Sequence, residues 1–169
     1  VYRKLTILTS LNQTEIAAIV GGYHGSPRRV LGPHAQSGSP NGAGKSVVRA
    51  FRPLDKTVTV LELSGGNRYP MEQIDSAGFF EAILDLPIDV LNYRLIIGDE
   101  EGNEFELDDP YSFELWISPE EGQRHREGNY IYAFEKMGTH FRTVALKDQT
   151  SGETTNITGV NFAVWAPNA

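Results

Sequence analysis

Between Val47 and Leu107 the chain breaks into short, closely spaced segments that suit strands and little else. The stretches are Val47 to Arg52, Thr57 to Leu63, Tyr69 to Ile74, Phe79 to Leu86, Tyr93 to Gly98 and Glu104 to Leu107. Several alternate with period two: Tyr93, Leu95 and Ile97 share one side, and Phe105 and Leu107 oppose Glu104 and Glu106. Gly65-Gly66-Asn67, Ser76-Ala77-Gly78 and Asp99-Glu100-Glu101-Gly102 supply the turns, the last as a hairpin loop. Short strands of this kind pair antiparallel and pack as two sheets, so the fold expected is mainly β, an immunoglobulin-like sandwich.

The flanking segments differ. Asn12 as a cap, Glu15 three residues later and the apolar residues Ile16, Ala17, Ile19 and Val20 before Gly21-Gly22 predict one short helix over about 12–20. From Tyr23 to Lys45 the Gly, Pro, Ser and Asn content predicts a long loop with its tip around Ser37 to Gly44. After Asp109-Pro110-Tyr111-Ser112-Phe113 the alternation stops, and Ser118 to Asn129 is polar enough to read as a connection. Beyond it, Phe141 to Leu146 and Val160 to Trp165 read as two strands joined by the polar stretch Lys147 to Thr158. Two strands bury too little apolar surface to stand alone, so this tail is expected either to pack on the first domain or to be loosely held. The expected organisation is a sandwich over 1–115, a linker over 116–128 and an incomplete second domain over 129–169. A valine start and an end directly behind Asn161-Phe162-Ala163-Val164-Trp165 read as an excised piece.

Charge and composition remove several classes of function. A formal charge of −7 repels a phosphate backbone, so nucleic acid is not an expected partner. No apolar run approaches the roughly 20 residues that span a bilayer, and no membrane partner is expected. With no cysteine there is no disulfide, thiolate metal site or cysteine nucleophile, in keeping with a reducing, cytoplasmic location.

The near-motifs fail on spacing. Gly42-Ala43-Gly44-Lys45-Ser46 invites a phosphate-loop reading, but Ser39 stands where that motif needs glycine, and the β-branched Val47-Val48 follows instead of a helix. His24, His34, His125 and His140 never fall at the intervals that place two ligands on one helix face, so no metal or cofactor is expected. Asp108-Asp109 and Glu120-Glu121 are adjacent carboxylates, and adjacency points side chains apart instead of across a glycosidic bond. Asn12-Gln13-Thr14 and Asn156-Ile157-Thr158 match the glycosylation acceptor pattern without a secretion signal to give it context. No catalytic constellation emerges from the residues themselves.

Three stretches together carry a resemblance. The first is Ile19-Val20-Gly21-Gly22-Tyr23-His24 through Pro27, with Val30-Leu31-Gly32-Pro33-His34. The second is Val48-Arg49-Ala50-Phe51-Arg52-Pro53, then Gly78-Phe79-Phe80 and Asp109-Pro110-Tyr111-Ser112-Phe113. The third is Glu127-Gly128-Asn129 through Tyr132, Lys136-Met137-Gly138-Thr139-His140, and Gly159 through Ala169. In this order they resemble the N-terminal region of bacterial glycogen (1,4-α-glucan) branching enzymes, of the α-amylase superfamily, over roughly residues 15 to 169.

That resemblance implies a non-catalytic accessory sandwich followed by the entry into a carbohydrate-binding-module-like domain. It implies a parent enzyme that transfers α-1,4-glucan segments to 6-hydroxyls in a (β/α)-barrel lying beyond Ala169, so this fragment is expected to be inactive. The implied partners are α-glucan and the barrel of the same chain. Sugar contact requires exposed aromatic faces flanked by polar groups, and the candidates are Tyr69, Tyr111, Trp116 and Tyr130. Tyr111 and Phe113 also suit a clamp at the domain end, and Trp165 the core of the following domain.

Overall fold

The computed structural model describes residues 11–36, 44–147 and 154–166. The chain divides into two compact units, Val1–Phe113 and Glu114–Ala169.

The first unit opens with α1, Gln13–Val20. Asn12 caps it, its side-chain oxygen accepting from the Glu15 N–H at 2.9 Å, a bond worth about 1 kcal/mol. Ile16 and Ile19, three residues apart, are its buried positions.

Eight strands follow: β1 Gly32–Ala35, β2 Ser46–Phe51, β3 Thr57–Glu62, β4 Arg68–Pro70, β5 Glu72–Asp75, β6 Phe79–Leu84, β7 Tyr93–Gly98 and β8 Glu104–Leu107. They form two four-stranded antiparallel sheets, ordered β1-β2-β6-β5 and β4-β3-β7-β8. The mainly β sandwich with a short leading helix that the alternation predicts is therefore the fold. Val48 and Ala50 of β2, Phe80 and Leu84 of β6, and Val58 and Val60 of β3 meet in the main core. The opposite parity of the first sheet carries Phe79, which packs with Ile16, Ile19, Val30 and Leu31, so α1 and the turn behind it cover that sheet's outer face. Arg49 and Glu81, register partners on the same parity, form a buried ion pair with Nε and Oε2 2.7 Å apart.

Three segments depart from the sequence reading. The long loop after α1 contains a 3-10 turn, Pro27–Arg29, and the edge strand β1; its expected tip, 37–43, lies outside the described residues. Gly32-Pro33-His34-Ala35 has no alternation to announce a strand, and pairing with Ser46 to Arg49 of β2 makes it one. The stretch Tyr69 to Ile74 is two strands in different sheets. The switch falls at buried Met71, whose N–H donates to the Val58 carbonyl at 2.8 Å just after Pro70, which has no N–H to donate. Phe79 to Leu86 stops earlier, at Leu84.

In the second unit, part of the polar stretch read as a connection is helical: α2 spans Pro119–Arg126. Ser118 caps it, Pro119 occupies the first turn, and acidic and basic residues lie at the ends that suit the helix dipole. A 3-10 turn, Ala133–Glu135, leads to the hairpin of β9, Gly138–Lys147, and β10, Thr154–Ala163. Their register runs from Gly138↔Ala163 to Lys147↔Thr154. Both strands begin earlier than the sequence suggests, because backbone pairing extends through threonine- and asparagine-rich positions that carry no apolar signal. Phe141, opposite Val160, and Phe162, opposite Thr139, share one exposed face of this hairpin.

Candidate functional site

The four aromatic candidates fall in different settings. Tyr69 stands on β4 opposite Val60 and is half-buried against the sandwich core. Tyr111 is half-buried against the α1 cluster, so close to Gly32 that a Cβ there would lie 2.6 Å from Tyr111 Cβ. The structure does not bring these two together, since they pack against separate clusters.

Trp116 and Tyr130, by contrast, share one network within the second unit. It begins at the N-terminus of α2, where the Ser118 N–H donates to Glu121 Oε2 at 2.8 Å and the Glu121 N–H donates back to Ser118 Oγ at 3.2 Å. The other oxygen of Glu121 accepts from the Tyr130 hydroxyl at 2.8 Å and lies 3.6 Å from Lys136 Nζ. Lys136 Nζ in turn donates to the Trp116 carbonyl at 2.9 Å, and Trp116 Nε1 donates to the Lys136 carbonyl at 2.9 Å. The capping carboxylate therefore holds the Tyr130 hydroxyl directly and is linked to Trp116 through Lys136.

The electrostatics follow from these bonds. The Glu121 carboxyl is held below its ordinary range by the Ser118 N–H and the Tyr130 hydroxyl, with help from Lys136. The Tyr130 hydroxyl is pushed up, first by loss of solvent and then by its bond to Glu121, so it stays protonated as the donor. Around Trp116, Lys136 Nζ and Arg142 Cζ each lie 4.4 Å from the ring centroid. A sugar stacking on a face held by either cation would have to displace it. His125 meets Tyr130 edge-on at 6.4 Å and Trp165 edge-on at 4.5 Å.

The remaining motifs resolve into local chemistry. Lys45 pairs with Asp85, and Ser46 is buried at the start of β2; Gly42 and Ala43 lie outside the described residues. Asp108 reaches Arg94, whereas neighbouring Asp109 is buried and accepts from Tyr93, so the adjacent carboxylates point to different partners. His34 Nε2 sits 3.2 Å from the Leu31 carbonyl, and burial with Arg49 nearby pulls its pKa down. The sequence offered Glu121 only as one of two adjacent carboxylates and did not single out Lys136 or Arg142. Only Ser118-Pro119-Glu120-Glu121, a capping-box pattern, offered a signal.

Fold and site together define a β-sandwich module with a helix-covered sheet, followed by a smaller aromatic- and charge-rich unit. Over residues 12–111 the chain matches the family described as alpha-1,4-glucan branching enzyme GlgB, N-terminal domain, and it belongs to that family. It is 38% identical over 157 residues to 1,4-alpha-glucan branching enzyme GlgB of Rhizobium meliloti, covering 92% of this chain and 19% of that protein. It is 36% identical over 158 residues to the enzyme of Mesorhizobium japonicum, again covering 92% and 19%. With that of Mycobacterium ulcerans it shares 33% over 155 residues, with 92% and 19% covered. The chain thus spans about a fifth of the length of these relatives.

Proposed function

We propose that this chain is the accessory, non-catalytic N-terminal part of a cytoplasmic glucan branching enzyme. In this reading it supports α-1,4-glucan chains while a barrel elsewhere in the polypeptide forms α-1,6 branches in glycogen synthesis. The observation that carries it is the match of both units to branching enzymes over 92% of the chain, joined to the pinned pair Trp116 and Tyr130. Aromatic rings held still beside hydroxyls, amides and guanidinium groups suit a sugar's apolar face and polar rim.

Titration of the chain with maltoheptaose, followed by NMR or affinity electrophoresis, tests this. Saturable shifts that Trp116→Ala or Tyr69→Ala reduces support glucan contact, and no retardation at millimolar sugar removes it. Incubation with amylose should leave the iodine spectrum unchanged; a steady change would refute the non-catalytic assignment.

A second reading, a brace for the barrel without independent sugar affinity, draws on the hairpin face. Phe141 and Phe162 are 82% and 75% exposed and lie on one side, as interface residues do. Under that reading maltoheptaose produces no shift, and Phe141→Ser destabilises the full-length protein while sparing the isolated chain.

A further inference from the structure

Immediately beyond α2 the chain turns through Gly128, and residues 129–132 wall a cleft of about 330 Å³ together with Arg124. That volume lies at the small end of the roughly 300–1,000 Å³ range of ligand pockets, room for a short oligosaccharide segment. Its lining combines two phenol rings, Tyr130 and Tyr132, with the Asn129 amide, the Arg124 guanidinium and Ile131.

Two features make this lining suited to a ligand. Tyr130 cannot swing freely, because its hydroxyl is bonded to Glu121 and its ring meets His125 edge-on. Tyr132, by contrast, is 56% exposed, and its ring lies 6.3 Å from that of Phe134, itself 70% exposed. The charge of Arg124 acts on the Glu120 carboxyl and the Tyr130 hydroxyl, and the exposed Asn129 donates through Nδ2 to Glu127 at 3.2 Å. Planar donors thus lie beside the rings.

The Tyr132 and Phe134 rings are tilted by 56° to one another. A row of coplanar rings matches a flat, ribbon-like β-1,4-linked chain. A bent pair matches the curvature of an α-1,4-linked chain, whose successive glucose units turn relative to each other.

We infer that the Arg124–Asn129–Tyr132 cleft, extended by Phe134, is a subsite for α-1,4-linked glucose units, with Tyr132 as its stacking face and Asn129 and Arg124 as hydroxyl partners. This rests on the glucan-supporting role proposed above and gives it a place and a linkage preference. A neutral sugar is favoured over an anion because four of the five lining residues are uncharged, and three of those, Tyr130, Ile131 and Tyr132, present large apolar surfaces.

The test is hydrogen–deuterium exchange on the full-length protein with maltoheptaose, cellohexaose or inorganic phosphate, reading the peptide over 127–136. Maltoheptaose should slow exchange there and cellohexaose should not. Tyr132→Ala should raise the maltoheptaose concentration needed for half protection by about tenfold, the upper range for one aromatic contact, while Tyr132→Phe leaves it within twofold. Asn129→Ala should weaken protection without altering exchange in the sugar-free protein, which separates lost contact from misfolding.

Protection elsewhere in residues 11–166 but not over 127–136 would overturn the subsite and leave the wider glucan role standing. No protection anywhere in the region would remove both. Equal protection by cellohexaose, protection by phosphate alone, or a segment already fully protected without sugar would each overturn the proposal.

Discussion

Arg28 Nη1 donates to the Tyr111 carbonyl at 2.9 Å, tying the turn behind α1 to the segment that leaves β8. The same nitrogen donates to the Phe113 carbonyl at 2.7 Å and Nη2 to the Pro110 carbonyl at 3.3 Å, while the guanidinium carbon lies 5.8 Å from the Tyr111 ring. One planar fork therefore holds three carbonyls at the end of the sandwich, a task that a lysine ammonium cannot reproduce.

Arg28→Ala should accordingly lower stability by about 1–2 kcal/mol, mostly through the part-buried Tyr111 carbonyl left without its charged donor, since the bonds to Phe113 and Pro110 are exposed. Arg28→Lys should recover less than half of the loss. Urea unfolding of the chain measures both; a lysine variant as stable as the wild type would show that the fork geometry is irrelevant.

A second anchor lies one residue before Pro110. Tyr93 donates its hydroxyl to Asp109 Oδ2 at 2.5 Å, and both residues are buried. Burial first, then the Asp109 charge and bond, push the Tyr93 pKa well above its ordinary value. A folded-state pKa raised above the unfolded one gives stability that is complete below about pH 10 and drains away as pH rises beyond it. Tyr93→Phe should cost about 1–3 kcal/mol at neutral pH and flatten the loss of stability above pH 10. Chemical denaturation at pH 8 and pH 11 checks this, and an unchanged alkaline slope in the variant would count against it.

How much of this was legible in the sequence depended on whether the signal was local. β7 and β8 were readable to the residue, because Asp99 organises the hairpin loop through its own neighbours, accepting from the Glu101 and Asn103 N–H groups. The start of α1 was readable for the same reason, from Asn12. β1 was not, since an edge strand containing Pro33 takes its identity from β2 alone. Nor was the change of sheet at Met71, because Tyr69 to Ile74 reads as a single short strand and only three-dimensional packing reveals the switch. The aromatic candidates were legible as residue types. Their linkage through Glu121 and Lys136 was not, because those partners meet only when α2 folds beside the 3-10 turn.

The turn at Glu62 gives an acid-side prediction. Burial pushes this carboxyl up, but N–H bonds from Gly65 and Ser64, with the Asn67 amide, together outweigh that and leave its pKa lowered. A lowered folded-state pKa contributes stability that is present above the unfolded value of about 4.3 and is lost as pH falls through the folded one. Glu62→Gln should therefore destabilise the chain at pH 7 yet narrow the gap to wild type as pH falls below about 4. Thermal melts from pH 7 to pH 3 provide the measurement, and a gap that stays constant across that range would contradict it.

Gly78 is the position where a single methyl group should do most damage. Its φ of +98° lies in the left-handed region, and an added Cβ would sit 2.4 Å from Pro53 Cα and 2.7 Å from the Arg52 carbonyl. Backbone retreat is blocked, because the Arg52 N–H donates to the Gly78 carbonyl at 2.7 Å and the next residue, Phe79, is fully buried under α1. Strain and overpacking add, so Gly78→Ala should cost about 3 kcal/mol or more, a fall in Tm of more than about 12 °C for a domain near 100 residues. Gly66→Ala makes the control: its φ of +70° carries the conformational cost, but nothing lies within 4 Å of its Cβ. Calorimetry on both should show Gly78→Ala to be clearly the worse, and equal losses would mean that φ strain alone, with no steric clash, sets the requirement for glycine.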